Sequence, residues 1–414
     1  GGTVNLETFA MAYDLGPYNH SCQAVANLYG GQMNILSVFR FGQTYNKTGI
    51  NPPHATINMY GGVINHYNNT TKPYGTHMGY YSSAAEGNNA QHRACDATLN
   101  MFGGEFRDVQ RIYMGGNAST SRLNLHGGKV VCENIFLQNT ATGTDYDFFA
   151  GGKAYIFWNG GEYWPLGSNS ANRTFGGLTQ VTVSTNGAAI DTTYLLPNAV
   201  YTVSQSLEHD AALADADGGF TKRGAGTLAL SGANTFNGWT TVEGGALRVR
   251  NAAALSSNVN VKAGAALDMD GTVYDVVNLS GTGASTNGTT RVTGVFTIGE
   301  TNSAAGASFT FADVTFASGS TVKCDTTSDG SANDAFVVNG TLRSEGVVNL
   351  DFGRTEENPL SKPFLIKLAD FEACEGIRFR AVNIGLPGYR IKTLIENSAV
   401  YVTLAQNGTA VLVR

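Results

Sequence analysis

Six of the seven histidines, His20, His54, His66, His77, His92 and His126, fall in the first third of the chain. No two stand at the i, i+4 spacing of a helical metal motif or at the i, i+2 spacing of one strand face, so they assemble no metal site. Several fall in loop-like segments and are expected to be solvated polar side chains. A centre that cleaves polysaccharide needs paired carboxylates, or a carboxylate cluster around calcium. Glu105 and Asp108, then Glu133, then Asp145 and Asp147 are the candidates. Glu105 and Glu162 occupy the position after a glycine pair where Gln32 and Lys129 stand in other copies. That mixture marks a solvent-facing position, so no catalytic residue, metal or cofactor is assigned. Aromatic residues give more: Tyr80, Tyr81, Tyr113, Phe148, Phe149, Tyr155, Trp158, Tyr163 and Trp164 crowd the first 165 residues. Rigid rings beside Asn and Asp stack on sugars or anchor a protein partner. Strand alternation sends Trp158 and Tyr163 inward. Tyr80, Tyr81, Phe148, Phe149 and Trp164 are left as binding candidates, with surface glycans or host and matrix proteins as the expected partners.

The elements that carry these residues are written around glycine pairs. Ala26-x-Leu28-x-Gly30-Gly31 is echoed by Ile57-x-Met59-x-Gly61-Gly62, Leu99-x-Met101-x-Gly103-Gly104, Leu123-x-Leu125-x-Gly127-Gly128 and Ile156-x-Trp158-x-Gly160-Gly161. Met33, Ile64, Phe106, Val130 and Tyr163 follow at a fixed offset. Period-two alternation sends these apolar residues inward, and glycine turns the backbone where a side chain would collide. A phosphate-binding glycine loop would need a following amphipathic helix, and none is written here. The irregular spacing of the pairs places projecting loops at 43–55, 67–97 and 167–174, the usual location of binding in a repeat protein.

From Gly218 to Val249 the pattern tightens into short Thr/Val/Leu runs that stop at glycine or Asn-Gly. Leu228 and Leu230 recur as Leu247 and Val249, then as Leu267 and Met269, at intervals of 19 and 20 residues. Strand patterning at that period means a β-solenoid. The run from Gly218 to Gly238 resembles the passenger-associated transport repeat of bacterial surface proteins, also called the autotransporter-associated β-strand repeat. Leu123-Asn124-Leu125-His126-Gly127-Gly128 is similar to that family's variant coils, and 334–342, 385–389 and 399–404 resemble its terminal coils. The resemblance implies an all-β chain: a single-stranded right-handed parallel β-helix with a C-terminal capping region. The expected divisions are 1–186 with irregular coils and long loops, a bridging stretch at 187–217, regular coils at 218–326, and terminal coils and cap at 327–414. Relatives with an outer-membrane barrel add amphipathic strands after the repeats. No such strands follow here, as expected of a released passenger or of a surface protein that carries the repeat without a barrel.

Composition agrees with this reading. The 414 residues include 52 glycines and 9 prolines, and only 14% are charged, so turns alternate with uncharged strands. A net charge of −6 without basic clusters excludes nucleic acid and anionic membrane as main partners. No apolar run is long enough for a transmembrane helix, so no membrane insertion of this chain is expected. The opening Gly-Gly-Thr-Val-Asn-Leu lacks the form of a signal peptide, and a mature or excised fragment is expected. The five cysteines form no Cys-x-x-Cys motif, and their odd number leaves at least one thiol free. The expected role is a non-catalytic scaffold or adhesin, secreted or on the bacterial outer cell surface. The alternatives are a carbohydrate-active β-helix enzyme, either polysaccharide lyase or glycoside hydrolase, and a filament-forming matrix protein that self-associates through open ends.

Overall fold

The structure is a computed structural model that describes residues 2–14, 22–44, 53–67, 75–81, 95–116, 119–137, 152–167, 174–251, 255, 258–299, 305–327, 331–354, 364–383 and 389–406. Every regular element among them is a β-strand, and most strands pair in parallel as a β-solenoid. Two compact units are present, Gly1–Gly238 and Trp239–Arg414.

In the first unit each turn of the solenoid has three faces. The first face is a seven-stranded parallel sheet that begins with Gln23–Leu28, His54–Met59, Asp96–Met101, Thr120–Leu125 and Lys153–Trp158. Its register is the one the glycine pairs imply: Ala26, Ile57, Leu99, Leu123 and Ile156 lie opposite one another, as do Leu28, Met59, Met101, Leu125 and Trp158. After the glycine corner the second face aligns Met33, Ile64, Phe106, Val130 and Tyr163. From the second coil onward these inward residues are buried, each worth about 1.5–3 kcal/mol of transfer free energy. Glycine is required at the corner for two reasons at once. Gly104 has φ of 78°, and a Cβ there would stand 2.5 Å from the Gly62 carbonyl oxygen of the coil below. Within 187–217, the strands Ala188–Asp191, Val200–Val203 and Glu208–His209 pair in register with strands of the preceding coil.

The interior departs from the sequence expectation at the histidines. His66 and His77 are buried, not solvated. The strand Thr76–Tyr81 lies inside the segment read as one long loop, and it closes over His66. His66 Nδ1 lies 2.8 Å from Asp108 Oδ2, which also receives the Thr76 amide and hydroxyl, both at 2.7 Å. His66 Nε2 meets the Ser37 carbonyl oxygen at 3.1 Å. Asp108, read as a candidate for a solvent-side carboxylate, is therefore fully buried. Alternation along Glu105–Asp108 explains why: Phe106 and Asp108 share the inward phase, and the ring partner satisfies the charge.

In the second unit Leu247 pairs with Leu267 across 20 residues, as the period requires. Its core is a phenylalanine cluster. The Phe296 ring lies 5.1–6.2 Å from the rings of Phe309, Phe311, Phe316 and Phe336. Parallel pairing gives way to antiparallel where Ala399–Gln406 joins both Phe364–Glu375 and Tyr389–Glu396.

Candidate binding face

The outward residues of the first unit form continuous rows, because parallel in-register strands stack like on like from coil to coil. On the first face Asn58 Nδ2 donates to Asn27 Oδ1 at 2.8 Å, Asn100 to Asn58 at 2.7 Å, and Asn124 to Asn100 at 2.7 Å. A second amide row, Asn5–Asn34–Asn65, runs along the next face. Between these rows, at the residue before each glycine pair, the side chains of Tyr29, Tyr60, Phe102 and His126 are stacked. Successive ring centres are 4.9, 5.0 and 5.1 Å apart, with 8° between planes at each step. Tyr29 is 74% exposed, Tyr60 46% and Phe102 45%. In the sequence this position differs in type from coil to coil, with Tyr60, Phe102, His126 and Asn159, which conceals the ladder. The signal that could have found the ladder was its fixed offset from the glycines and the planarity of four consecutive side chains.

Of the five residues singled out for binding, Trp164 alone has a described side chain. Tyr80 and Tyr81 end Thr76–Tyr81 and pair with Gln43 and Thr44. Their side chains lie outside the described residues, as do Phe148 and Phe149 altogether. Trp164 sits on the outward side of Glu162–Pro165 and is half-buried. Lys129 Nζ lies 4.5 Å from the centre of its ring system, Tyr194 packs at 5.2 Å, and its Nε1 donates to Glu162 Oε2 at 2.7 Å. The indole is thus held in a charged and aromatic surface cluster.

The carboxylates around it are engaged as well. Glu105 contacts Arg107 at 2.7 Å and Lys129 at 3.1 Å. Burial raises the Glu105 carboxyl, but the hydrogen bonds and charges of Arg107 and Lys129 outweigh it and hold the group below its usual range. Glu162 pairs with Arg223, and Glu133 lies 4.0 Å from Arg111. Asp145 and Asp147 lie outside the described residues. Among the described residues no group of three or more His, Cys, Asp or Glu could hold a metal ion. The thiols of Cys132 and Cys324 and the phenol of Tyr163 are pushed well up by burial, which keeps them protonated.

Residues 217–238 close the unit with a dense set of backbone clamps. The buried Asp217 carboxylate accepts from His209 Nδ1 at 2.9 Å and from the amides of Gly219, Asn237 and Gly238 at 2.9–3.0 Å. Asn234 Oδ1 accepts the Leu207 amide at 2.8 Å. Lys222 points inward with Phe220, and its Nζ donates to the carbonyls of Arg223 and Gly224 at 2.9 and 2.6 Å. Residues 220–249 match the family model described as passenger-associated-transport-repeat. The chain carries that repeat. Its asparagines and lysine are accordingly clamps on the coil backbone, and its glycines are turns. In addition, 70 residues are 43% identical to the adhesin BmaC autotransporter of Brucella suis biovar 1 (strain 1330), a match that covers 16% of this chain and 2% of that protein. No helix among the described residues is long and apolar enough to cross a membrane.

Proposed function

We propose that the chain is a surface-exposed, passenger-like β-solenoid that serves as an adhesive scaffold without catalysis. The passenger-associated-transport-repeat at 220–249 carries this reading, and the segment similar to an adhesin supports it. Each interior strand is hydrogen-bonded to a coil on either side, so the backbone offers proteases few free segments and the outside is left for contact. Glu105, Asp108 and Glu162 are tied to cations or buried, which suits a scaffold better than an acid–base pair. Surface glycans or matrix proteins are the proposed contacts, and the proposed location is outside the cell.

The test is protease shaving and antibody labelling of intact cells that make the full-length protein, together with adherence of a deletion strain. Labelling on intact cells with reduced adherence after deletion is expected. Signal only after lysis would overturn the location, and release of sugar ends from polysaccharide by the purified chain would overturn the absence of catalysis.

A further inference from the structure

The reading as an adhesive scaffold leaves open what the outside of the first unit grips. Resting on that reading, we propose that the amide and aromatic rows of the first face bind an extended, uncharged polysaccharide along the coil axis, about one sugar residue per coil. Asn27, Asn58 and Asn100 stand beside Tyr29, Tyr60 and Phe102, one of each per coil, and none of these six residues is charged. Asn58 and Asn100 each spend one N–H on the preceding amide and Asn27 only accepts, leaving at least one further N–H and a second lone pair on each carboxamide. Hydrogen-bonding groups therefore repeat along the face at the coil spacing of about 4.8 Å.

The rings fix the chemistry further. Their facing sides cover one another at about 5 Å, so beyond the end face of Tyr29 they offer edges outward, and the edge of an aromatic ring carries positive partial charge. Tyrosine hydroxyls add a donor and acceptor at the rim. The surface thus presents N–H groups and positive ring edges in parallel lines, with no formal charge among them. An oxygen-rich chain of hydroxyls and ring ethers meets both lines at a matching repeat. A compact ligand would engage one coil, and an anionic polymer would find no cation among these six residues. The ladder is also rigid before binding, since each amide and ring is held by its neighbours, so little side-chain entropy is lost on contact.

The test uses the purified full chain on insoluble β-glucan, xylan and mannan, with hyaluronan and heparin as anionic arms, and competition by oligosaccharides of two and of six sugars. Retention on a neutral polymer is expected, with the six-sugar competitor effective at a concentration about tenfold or more below the two-sugar one, because several coils are engaged. Asn58→Asp and Tyr60→Ser should each weaken retention about tenfold or more, while Phe102→Tyr, which keeps the stacked ring, should not. Hydrogen exchange at 57–59 and 99–101 reports whether each variant retains its coils. Retention on the anionic polymers alone, no retention on any neutral polymer, or neutral binding unchanged in both folded variants overturns the assignment. Because purified protein is used, such a failure leaves the cell-surface result standing, and a failed surface result leaves this one standing.

Discussion

The outside of the first unit adds long neutral ladders to its ion pairs, whereas the outside of the second has ion pairs and the Asn278–Asn258 step, on backbones of the same parallel kind. In the first unit identical amides repeat from coil to coil and aromatic rings stack in the open. In the second, phenylalanines gather inside, and arginines reach carboxylates on other strands and turns: Arg248 to Asp268 at 2.8 Å, Arg291 to Asp275 and Glu345 at 3.0 and 2.7 Å, and Arg343 to Glu375 at 2.9 Å. A ladder of like residues extends over any number of coils, because each amide is both donor and acceptor. An ion pair ends at its partner and must be written anew with alternating sign. Uniform lines suit recognition of a repeating ligand, whereas scattered charge suits solubility.

The comparison breaks most visibly in the cores. Phe296→Ala should cost about 3–5 kcal/mol. Hydrogen exchange should quicken in 284–298, 308–316 and 335–344 while 54–59 and 96–101 keep their protection; equal loss in both units would show that the division has no energetic meaning. Next, Asp108→Asn leaves His66 facing a neutral amide and should cost the first unit about 3 kcal/mol, since one half of a buried pair is left behind. Slowly exchanging amides at 63–66 and 105–108 are the readout, and unchanged protection there would mean that the network is dispensable.

A titration separates the units again. Burial lowers the Lys222 ammonium from 10.5 to about 8, against the raising effect of Asp191. Below pH 8 the group is charged in both folded and unfolded chain and its burial cost is present in full. Between about 8 and 10.5 only the unfolded chain holds the proton, so the stability of the first unit should rise with pH by at most about 1.4 kcal/mol per unit. Lys222→Met should flatten that rise, and a slope that persists in the variant would place its origin elsewhere. The smallest effect belongs to the surface. Arg291→Ala should cost about 1 kcal/mol or less and lose that cost near 1 M salt, where screening acts within about 3 Å. Asn100→Ala, breaking a neutral ladder, should cost about as much at any salt concentration.

Much of this architecture was legible because glycine and alternation are local. The five glycine pairs fixed which residues face each other across coils, and every inward residue read from them from Ile57 onward is buried. Lys222 escaped notice although Phe220-Thr221-Lys222 places it inward, since charge argues for solvent until a turn carbonyl is known to receive it. His66, Thr76 and Asp108 are separated by 10 and 32 residues, and only the closed coil brings them together. The ring ladder was hidden for a different reason: its members differ in type, and stacking is a property of distance, which no single strand displays.

Over the five coils that carry glycine pairs, one corner keeps a single length. Between the first and second faces lie residues 29–31, 60–62, 102–104, 126–128 and 159–161, three each time, whereas the gap after the second face runs from the single Glu133 to the stretch 67–75. Insertions and deletions are therefore unequal in their consequences. A residue added after the second face lengthens a loop and is absorbed by one coil, but a residue added beside a glycine pair displaces a ring from its stack and an amide from its line. Length variation among descendants of such a gene should gather at two corners and spare the third, so that the lineage can remodel its loops freely while inheriting its ruled face intact.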